Sequence, residues 1–386
     1  MTYWREHSTV NIPLKAVAYY NERQKAFLRT FVGIKFYYEY LTKYGKHTFT
    51  FGGTGSGKTQ KAYWLLDWLK HRETQIWVST GKSGEILPLL FMGKKVRIIT
   101  PARTDVIIEE RVGSDWQRIT DNLEYVYVET PEEMLNELKG NSYPDGHNPA
   151  KMTINILEIR NAFVRYQNAL GWMAELFEKL AYKCRLGDMP SIFPAALHID
   201  ESQWTMAGKR ISGEGERNRV SEIVTENALE LRSIGVRLCL YAQSYKNITP
   251  AARENMSFHI LCHGANVEPE ENQNVSHWCT KQFGMRIPLK FKPYEGRFVF
   301  EDGFSHPPLN PWQFPLFPEN TADQERLARM RVRYVGRFDE HNESEEVEEE
   351  CLPELGRFSA MAIPPEVRNE PTYSRYDAES IRAGHE

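Results

Sequence analysis

From His47 onward, short apolar runs alternate with segments whose apolar residues recur at helical spacing. The runs His47–Phe51, Gln75–Thr80, Val96–Thr100, Leu123–Val128, Met152–Ile159, Ala195–Ile199, Val236–Ala242 and Phe258–Cys262 read as strands. Between them, Lys58–His71, Pro131–Leu138, a long amphipathic stretch ending near Arg185, and Val220–Arg232 read as helices. This alternation predicts an α/β fold with a mainly parallel central sheet flanked by helices.

The flanks differ in pattern. Arg23–Lys46 mixes aromatic and basic residues at helical spacing and reads as a packed amphipathic helix before the first core strand, with a basic arm touching DNA as the alternative. Arg286–Gly303, with Pro288, Pro293 and Gly296, reads as extended strands turning back on themselves, a short C-terminal β segment. Pro307–Pro318 is proline-rich and reads as irregular. Arg326, Arg329, Arg331, Arg333 and Arg337 then form a basic stretch, and eight of the twelve residues from Asp339 to Glu350 are acidic. A run that repels itself and buries almost nothing reads as a disordered acidic tail.

Composition narrows the class. Of 386 residues, 41% are apolar and 26% charged, an ordinary globular balance, and the net charge of −4 gives no global basic excess. The five cysteines (Cys184, Cys239, Cys262, Cys279, Cys351) lie far apart without a CxxC pair, so neither a zinc site nor a disulfide framework is indicated. The first twenty residues lack a signal-peptide core, and the densest apolar run, Ile86–Met92, is short and broken by Pro88. No membrane insertion is expected, and the chain reads as cytoplasmic.

The stretch Phe49–Gln60, FTFGGTGSGKTQ, satisfies the Walker A pattern, Gly52-x4-Gly57-Lys58-Thr59, between a β-rich run and a helical one. Its glycines permit backbone conformations that a Cβ forbids and let phosphate oxygens approach the chain, while the following helix adds its positive end. Gly52, Gly53, Thr54, Gly55, Ser56, Gly57, Lys58, Thr59 and Gln60 are therefore the expected nucleotide-binding residues. Lys58 is expected on the β- and γ-phosphates of ATP, and the Thr59 hydroxyl on Mg²⁺. A mainly apolar strand also ends in Asp200-Glu201, where Asp200 would support Mg²⁺ and Glu201 would orient or deprotonate the attacking water. Gln243 closes another apolar strand, either contacting the γ-phosphate or water, or serving as a plain polar cap.

Walker A, Asp200-Glu201 and the run Leu231-Arg232-Ser233-Ile234-Gly235-Val236-Arg237-Leu238-Cys239-Leu240-Tyr241-Ala242-Gln243 together resemble the FtsK/HerA superfamily of P-loop DNA-translocating ATPases. The resemblance covers roughly Phe49–Gly303. It departs at Ser79-Thr80-Gly81-Lys82, where many members carry Asp-Pro-Lys, and at Ser244-Tyr245, which stand in place of Arg-Pro. It implies a RecA-like P-loop NTPase core over 46–303, between an N-terminal helical segment (1–45) and a proline-rich then basic extension (304–337), with the tail at 338–386. It further implies a homo-oligomeric ring, a hexamer, with ATP between subunits and an arginine finger from a neighbour. Arg232 matches the family arginine and is the first candidate; Arg237 and Arg253 follow, and each could equally be a surface arginine in a salt bridge.

Met206–Arg219, with three glycines and four basic residues, could line a ring's pore and meet phosphates, and Lys82, Lys94, Lys95 and Arg97 form a second basic group; both could equally be solvated loops. No base-reading motif is present. The expected function is ATP-driven, sequence-indifferent translocation of double-stranded DNA, foremost viral genome packaging with a capsid vertex as partner and the protein carried with the virion. The alternatives are a HerA-like repair or defence translocase, with a nuclease partner, and a non-motor ATP-dependent assembly or signalling switch.

Overall fold

A strand buried on both faces carries apolar residues on both, and β1 (Thr48–Phe51), β8 (Ala195–Ile199) and β9 (Val236–Ala242) are buried throughout. They lie at the centre of a ten-stranded sheet with β2 (Thr74–Val78), β3 (Lys95–Pro101), β6 (Leu123–Val128), β7 (Thr153–Leu157), β10 (Phe258–Leu261), β11 (Glu295–Phe300) and β12 (Trp312–Gln313). The order is β12-β11-β10-β1-β9-β8-β2-β7-β3-β6, parallel from β10 to β6, with β11 and β12 added antiparallel. A single strand, β9, separates β1 from β8, so the protein has the expected α/β P-loop NTPase architecture. The computed structural model describes residues 20–79, 82–139, 152–186, 194–206, 215–279, 295–303 and 312–338, with Ile12 and Ala18. The acidic run after Phe338 and residues 207–214 of the glycine-rich loop, both given roles above, lie outside the described residues.

Alternation along the strands divides the core in two. Phe49, Phe51, Leu238 and Leu240 face one side, packed with α5 (Tyr166–Leu186) and α6 (Gly215–Ser233). Trp77, Cys239 and Tyr241 face the other, covered by α3 (Lys58–Leu69) and by α1 (Glu22–Leu28) and α2 (Phe31–Phe36). The N-terminal segment is thus a packed one. Asn21 and Gln24 close a reciprocal capping box on α1, and Thr30 caps α2 by accepting from the Gly33 N–H. Phe27 then packs on Trp68 at 5.6 Å and on Trp312 at 4.6 Å between ring centroids, joining these helices to α3 and to the sheet's antiparallel edge.

Arg237, at the start of β9, fixes the same segment from beneath. It forms a two-point pair with Glu73 (3.0 and 2.6 Å), both side chains fully buried, and donates to the carbonyls of Tyr40, Lys43 and Lys46. The remaining helix of the central region, α4 (Pro131–Lys139), packs on α5.

The strands β4 (Asp105–Val112), β5 (Asp115–Arg118) and β13 (Met330–Val335) were not expected from the pattern. β4 and β5 form a hairpin between β3 and β6, and the basic stretch supplies β13, antiparallel to β4. Glu109 pairs with Arg331 at 2.7 Å and Arg333 at 3.5 Å, and Glu110 with Arg326 at 2.8 Å and Arg329 at 3.5 Å. These four arginines therefore answer carboxylates of the same chain.

Removing one member of a buried pair strands the other charge, so Arg237→Met is expected to lower stability by about 3–5 kcal/mol. Combining it with Glu73→Met should recover part of that loss. Urea denaturation of both singles and the double variant checks this, and strict additivity would contradict the pairing.

Candidate functional site: the P-loop edge of the sheet

The carboxyl ends of β1, β9, β8 and β2 open on one edge of the sheet, where crossover loops of a parallel sheet place ligands. Phe51 stands level with Ala242, and Ile199 with Leu240, so the residues that follow each strand emerge side by side. The P-loop leaves β1 against the end of β10. The Gly53 N–H donates to the His263 carbonyl at 2.8 Å, and a Cβ on Gly52 would sit 2.6 Å from Cys262 Cβ and 2.8 Å from that same oxygen. Gly55, at φ +72°, has nothing within 4 Å of a Cβ position, so the crest of the loop is open. Gly57 takes the left-handed conformation (φ 75°, ψ 29°) and starts α3 without any side-chain cap, leaving first-turn N–H groups for an anion.

Lys58, largely buried, donates to the carbonyls of Gly52 and Gly53 at 3.1 and 3.0 Å. Burial holds its pKa below the ordinary lysine value. Lys61, two positions past Thr59 and missed in the motif, is fully buried and braces the loop through the Ser56 carbonyl at 2.9 Å. Gln60 turns its side chain aside, accepting from the Phe317 N–H at 2.8 Å.

Thr59 Oγ1 donates to Asp200 Oδ2 at 3.0 Å, which joins the loop to the end of β8. Asp200 is buried, and burial above all raises its pKa, against the nearby Lys82 ammonium. Glu201 follows in the left-handed region (φ 48°, ψ 43°), a conformation that costs a residue with a Cβ about 1–3 kcal/mol and persists where the surroundings impose it. Its two oxygens are taken separately: Oε1 by Lys82 Nζ, Oε2 by Gln203 Nε2. Burial opposes its charge, but these contacts prevail and its pKa lies below the usual carboxylate value.

The edge is fixed from behind. Ser202 Oγ donates to the Ile199 carbonyl at 2.6 Å and accepts from the Tyr241 N–H at 2.8 Å. His198, buried in β8, lies 2.8 Å from Tyr241 Oη and 2.9 Å from Gln75 Oε1, and burial pushes its pKa down to about 3, so it bridges β2 and β9 as a neutral ring. Gln243 follows β9 and is exposed beside Gly52, whose N–H reaches the Ala242 carbonyl at 3.4 Å.

The structure thus brings together the P-loop, Asp200, Glu201 and Gln243. Arg232 it does not: that residue ends α6 at the opposite edge, with the length of β9, about 20 Å at 3.3 Å per residue, between it and the P-loop. Arg237 is bound within the core as described, which removes it as a finger candidate. Arg253, in α7 (Pro250–Glu254), pairs with Glu271 at 3.1 Å and lies over the Tyr245 ring. The second basic group also divides. Lys82 follows β2 on the P-loop edge, whereas Lys94, Lys95 and Arg97 sit at the start of β3 on the far edge, where Lys95 and Arg97 pair with Glu124. Among the described residues no helix is long and apolar enough to cross a membrane.

No family model and no curated protein matches the sequence. Among solved structures, the chain is similar to Thermomonospora curvata EccC (ATPases 2 and 3) in complex with a signal sequence peptide, at 12% identity and TM-score 0.33, covering 71% of this chain and 37% of that one. It is similar to the genome packaging NTPase B204 of Sulfolobus turreted icosahedral virus 2 in complex with ATP-gammaS, at 13% identity and TM-score 0.31, covering 69% and 98%. The pCW3 conjugation coupling protein TcpA with ATPgS gives 13% identity and TM-score 0.33, covering 74% and 65%. The chain therefore spans well under half of the EccC chain and nearly all of B204. What the site can do is read from its own residues.

Gly52 and Gly55 should respond differently to a methyl group. Gly52→Ala places a Cβ into Cys262 and the His263 carbonyl and is expected to destabilise the fold and displace the loop, whereas Gly55→Ala meets only the left-handed penalty of about 1–2 kcal/mol. Thermal denaturation together with titration of a fluorescent ATP analogue separates them; equal losses would contradict the described loop.

Proposed function

We propose that this chain is an ATP-hydrolysing, sequence-indifferent translocase of double-stranded DNA, working as a homo-oligomeric ring, with viral genome packaging as its foremost role. The observation that carries the reading is the Thr59–Asp200 hydrogen bond, which sets a P-loop hydroxyl and a buried strand-end carboxylate 3.0 Å apart, with Glu201 adjoining. Two hard oxygen donors at that separation beside an open anion cradle suit Mg²⁺, and Thr59 and Asp200 are the residues that would hold it. When bound, the ion neutralises charge on the phosphate oxygens.

The chain's own groups account for the rest. Backbone N–H groups of the loop beyond Gly53 and the start of α3 receive the β- and γ-phosphates of ATP. Lys58 exchanges the Gly52 and Gly53 carbonyls for phosphate oxygens, a favourable exchange because anionic acceptors replace two neutral ones. Glu201 accepts a proton from the attacking water, and Gln243, exposed at the end of the neighbouring strand, meets the terminal phosphate or the water. The ring is what the family resemblance implies, and Arg232, on the opposite edge, can serve an active site only from a neighbouring subunit of it. Phosphate contact without base reading is what a chain lacking recognition motifs supports.

ATPase rates measured with and without double-stranded DNA test this. Strong stimulation is expected, with loss of nucleotide binding in Lys58→Ala and a rate about 10²–10⁴-fold lower in Glu201→Gln, which keeps the shape but loses the base. An unstimulated rate would favour a nucleotide switch instead. Arg232→Ala should lower the rate by about 10³-fold while sparing nucleotide binding. Mixing it with Glu201→Gln subunits should restore part of the activity, and failure to do so in intact rings would remove Arg232 from the role.

A further inference from the structure

One strand beyond β2, Glu158 follows the carboxyl end of β7, and nothing in the ATPase reading uses it. The residue is fully buried, and its backbone is locked to β3: its N–H donates to the Ile99 carbonyl at 3.0 Å, and its carbonyl accepts from the Thr100 hydroxyl at 3.3 Å. Neutral groups hold the carboxyl. Tyr334 Oη donates to Oε1 at 3.1 Å and Asn161 Nδ2 to Oε2 at 3.3 Å, and the same Asn161 amide donates to Tyr334 Oη at 3.0 Å. Ser79, just past β2 and itself buried, also faces it. Among the described residues no cation pairs with Glu158. The charged groups nearby address other partners: Arg337 lies over the Tyr334 ring at 5.7 Å, Arg160 lies over the Tyr166 ring at 4.8 Å, and Glu85 neighbours Tyr334. Burial outweighs the hydrogen bonds that favour charge and pushes the Glu158 pKa up to about 7.

Tyr334 stands level with Val106 of β4, so the hydroxyl that closes this cluster comes from the small sheet. The chain beyond β13 is tied to the same place, with the Phe338 N–H donating to the Ala162 carbonyl at 2.9 Å. Lifting β13 away takes Tyr334 off Oε1 and opens that oxygen to water. A neutral carboxyl tolerates the dry setting, whereas a carboxylate gains hydration by leaving it. Docking and proton binding are therefore linked: the docked state keeps the proton up to about pH 7, and the released state gives it up near the ordinary value of 4.5. Across that window each rise in pH weakens docking, and above it the loss is complete.

We propose that Glu158 is a proton-operated latch for the C-terminal strand: as the acid it accommodates β13 docked on β4, and on giving its proton to water it favours release of Tyr334 and withdrawal of β13. Release bares the edge of β4 that β13 covers and parts Arg331 and Arg333 from Glu109. The parallel sheet and the P-loop stay folded.

Hydrogen exchange of the full chain, read by mass spectrometry with each rate divided by its intrinsic value, tests this without nucleotide. Between about pH 5 and about pH 8 the opening equilibrium of the β13 and β4 amides is expected to grow about 10–10²-fold in the wild type. Glu158→Gln, which keeps the shape and cannot ionise, should remove that growth. Tyr334→Phe withdraws a donor that favours the carboxylate, so it should leave the low-pH protection nearly intact and make the dependence steeper. Low urea should leave the β13 rates unchanged, the mark of a local opening, while it speeds exchange in α5. A pH dependence in Glu158→Gln equal to the wild type's, a Tyr334→Phe dependence no steeper than the wild type's, or β13 exchange that rises with urea in step with α5 overturns the latch. Each of these results leaves the ATPase proposal where it stands.

Discussion

Parallel pairing in locked register is the constraint from which the site follows. β1, β9, β8 and β2 run the same way, so the residues after each of them emerge on one edge although they are drawn from positions 52 to 243 of the sequence. Reversing any one strand would send its terminal group to the other side of the molecule. The register is held where slippage would be costly: apolar side chains fill both faces, the Ser202 hydroxyl clips β8 to β9, and neutral His198 spans three strands through Gln75 and Tyr241. Arg237 and Glu73 do the same at the opposite rim, so both ends of β9 are fixed by buried polar contacts that have no equivalent one residue out of register.

Charges of both signs meet at the P-loop edge. Two ammoniums, Lys58 and Lys82, stand against two carboxylates, Asp200 and Glu201, and each lysine already has an oxygen partner within the chain. Such an arrangement is poised rather than strained. An arriving polyphosphate gains contacts by exchange, not by filling an isolated positive hole, and the backbone N–H groups of the loop supply attraction that needs no counter-charge. Asp200 keeps its place through the Thr59 hydroxyl and the N–H of Glu201 at 3.0 Å, both of which favour the ionised form that burial opposes.

The core strands were legible in the sequence because strands buried on both faces are mainly apolar, and the P-loop because its spaced glycines, three of them at positive φ, precede Lys58-Thr59 in a recognisable pattern. β4, β5 and β13 were not. DVIIEERV and MRVRYV mix apolar and charged residues, and the pairing between them spans more than two hundred residues, so the arginines of β13 read only as a basic stretch. Arg97 and Arg237 show the same limit. A buried arginine and an exposed one are identical letters, and only the nearness of Glu137 or Glu73 in space distinguishes them. The contact between Lys82 and Glu201 was hidden for a related reason: the two belong to separate strand ends whose adjacency is a property of the sheet order.

The small sheet built on β4 has a consequence for how the molecule assembles. Glu110 meets Arg326 at a sequence separation of 216 and Glu109 meets Arg331 at 222. On a ribosome, the β4–β5 hairpin emerges long before its third strand, and during that interval Glu109 and Glu110 lack these arginines and one strand edge stays open to other chains. Closing so long a loop is slow relative to local pairing, which makes the docking of β13 a late event in folding.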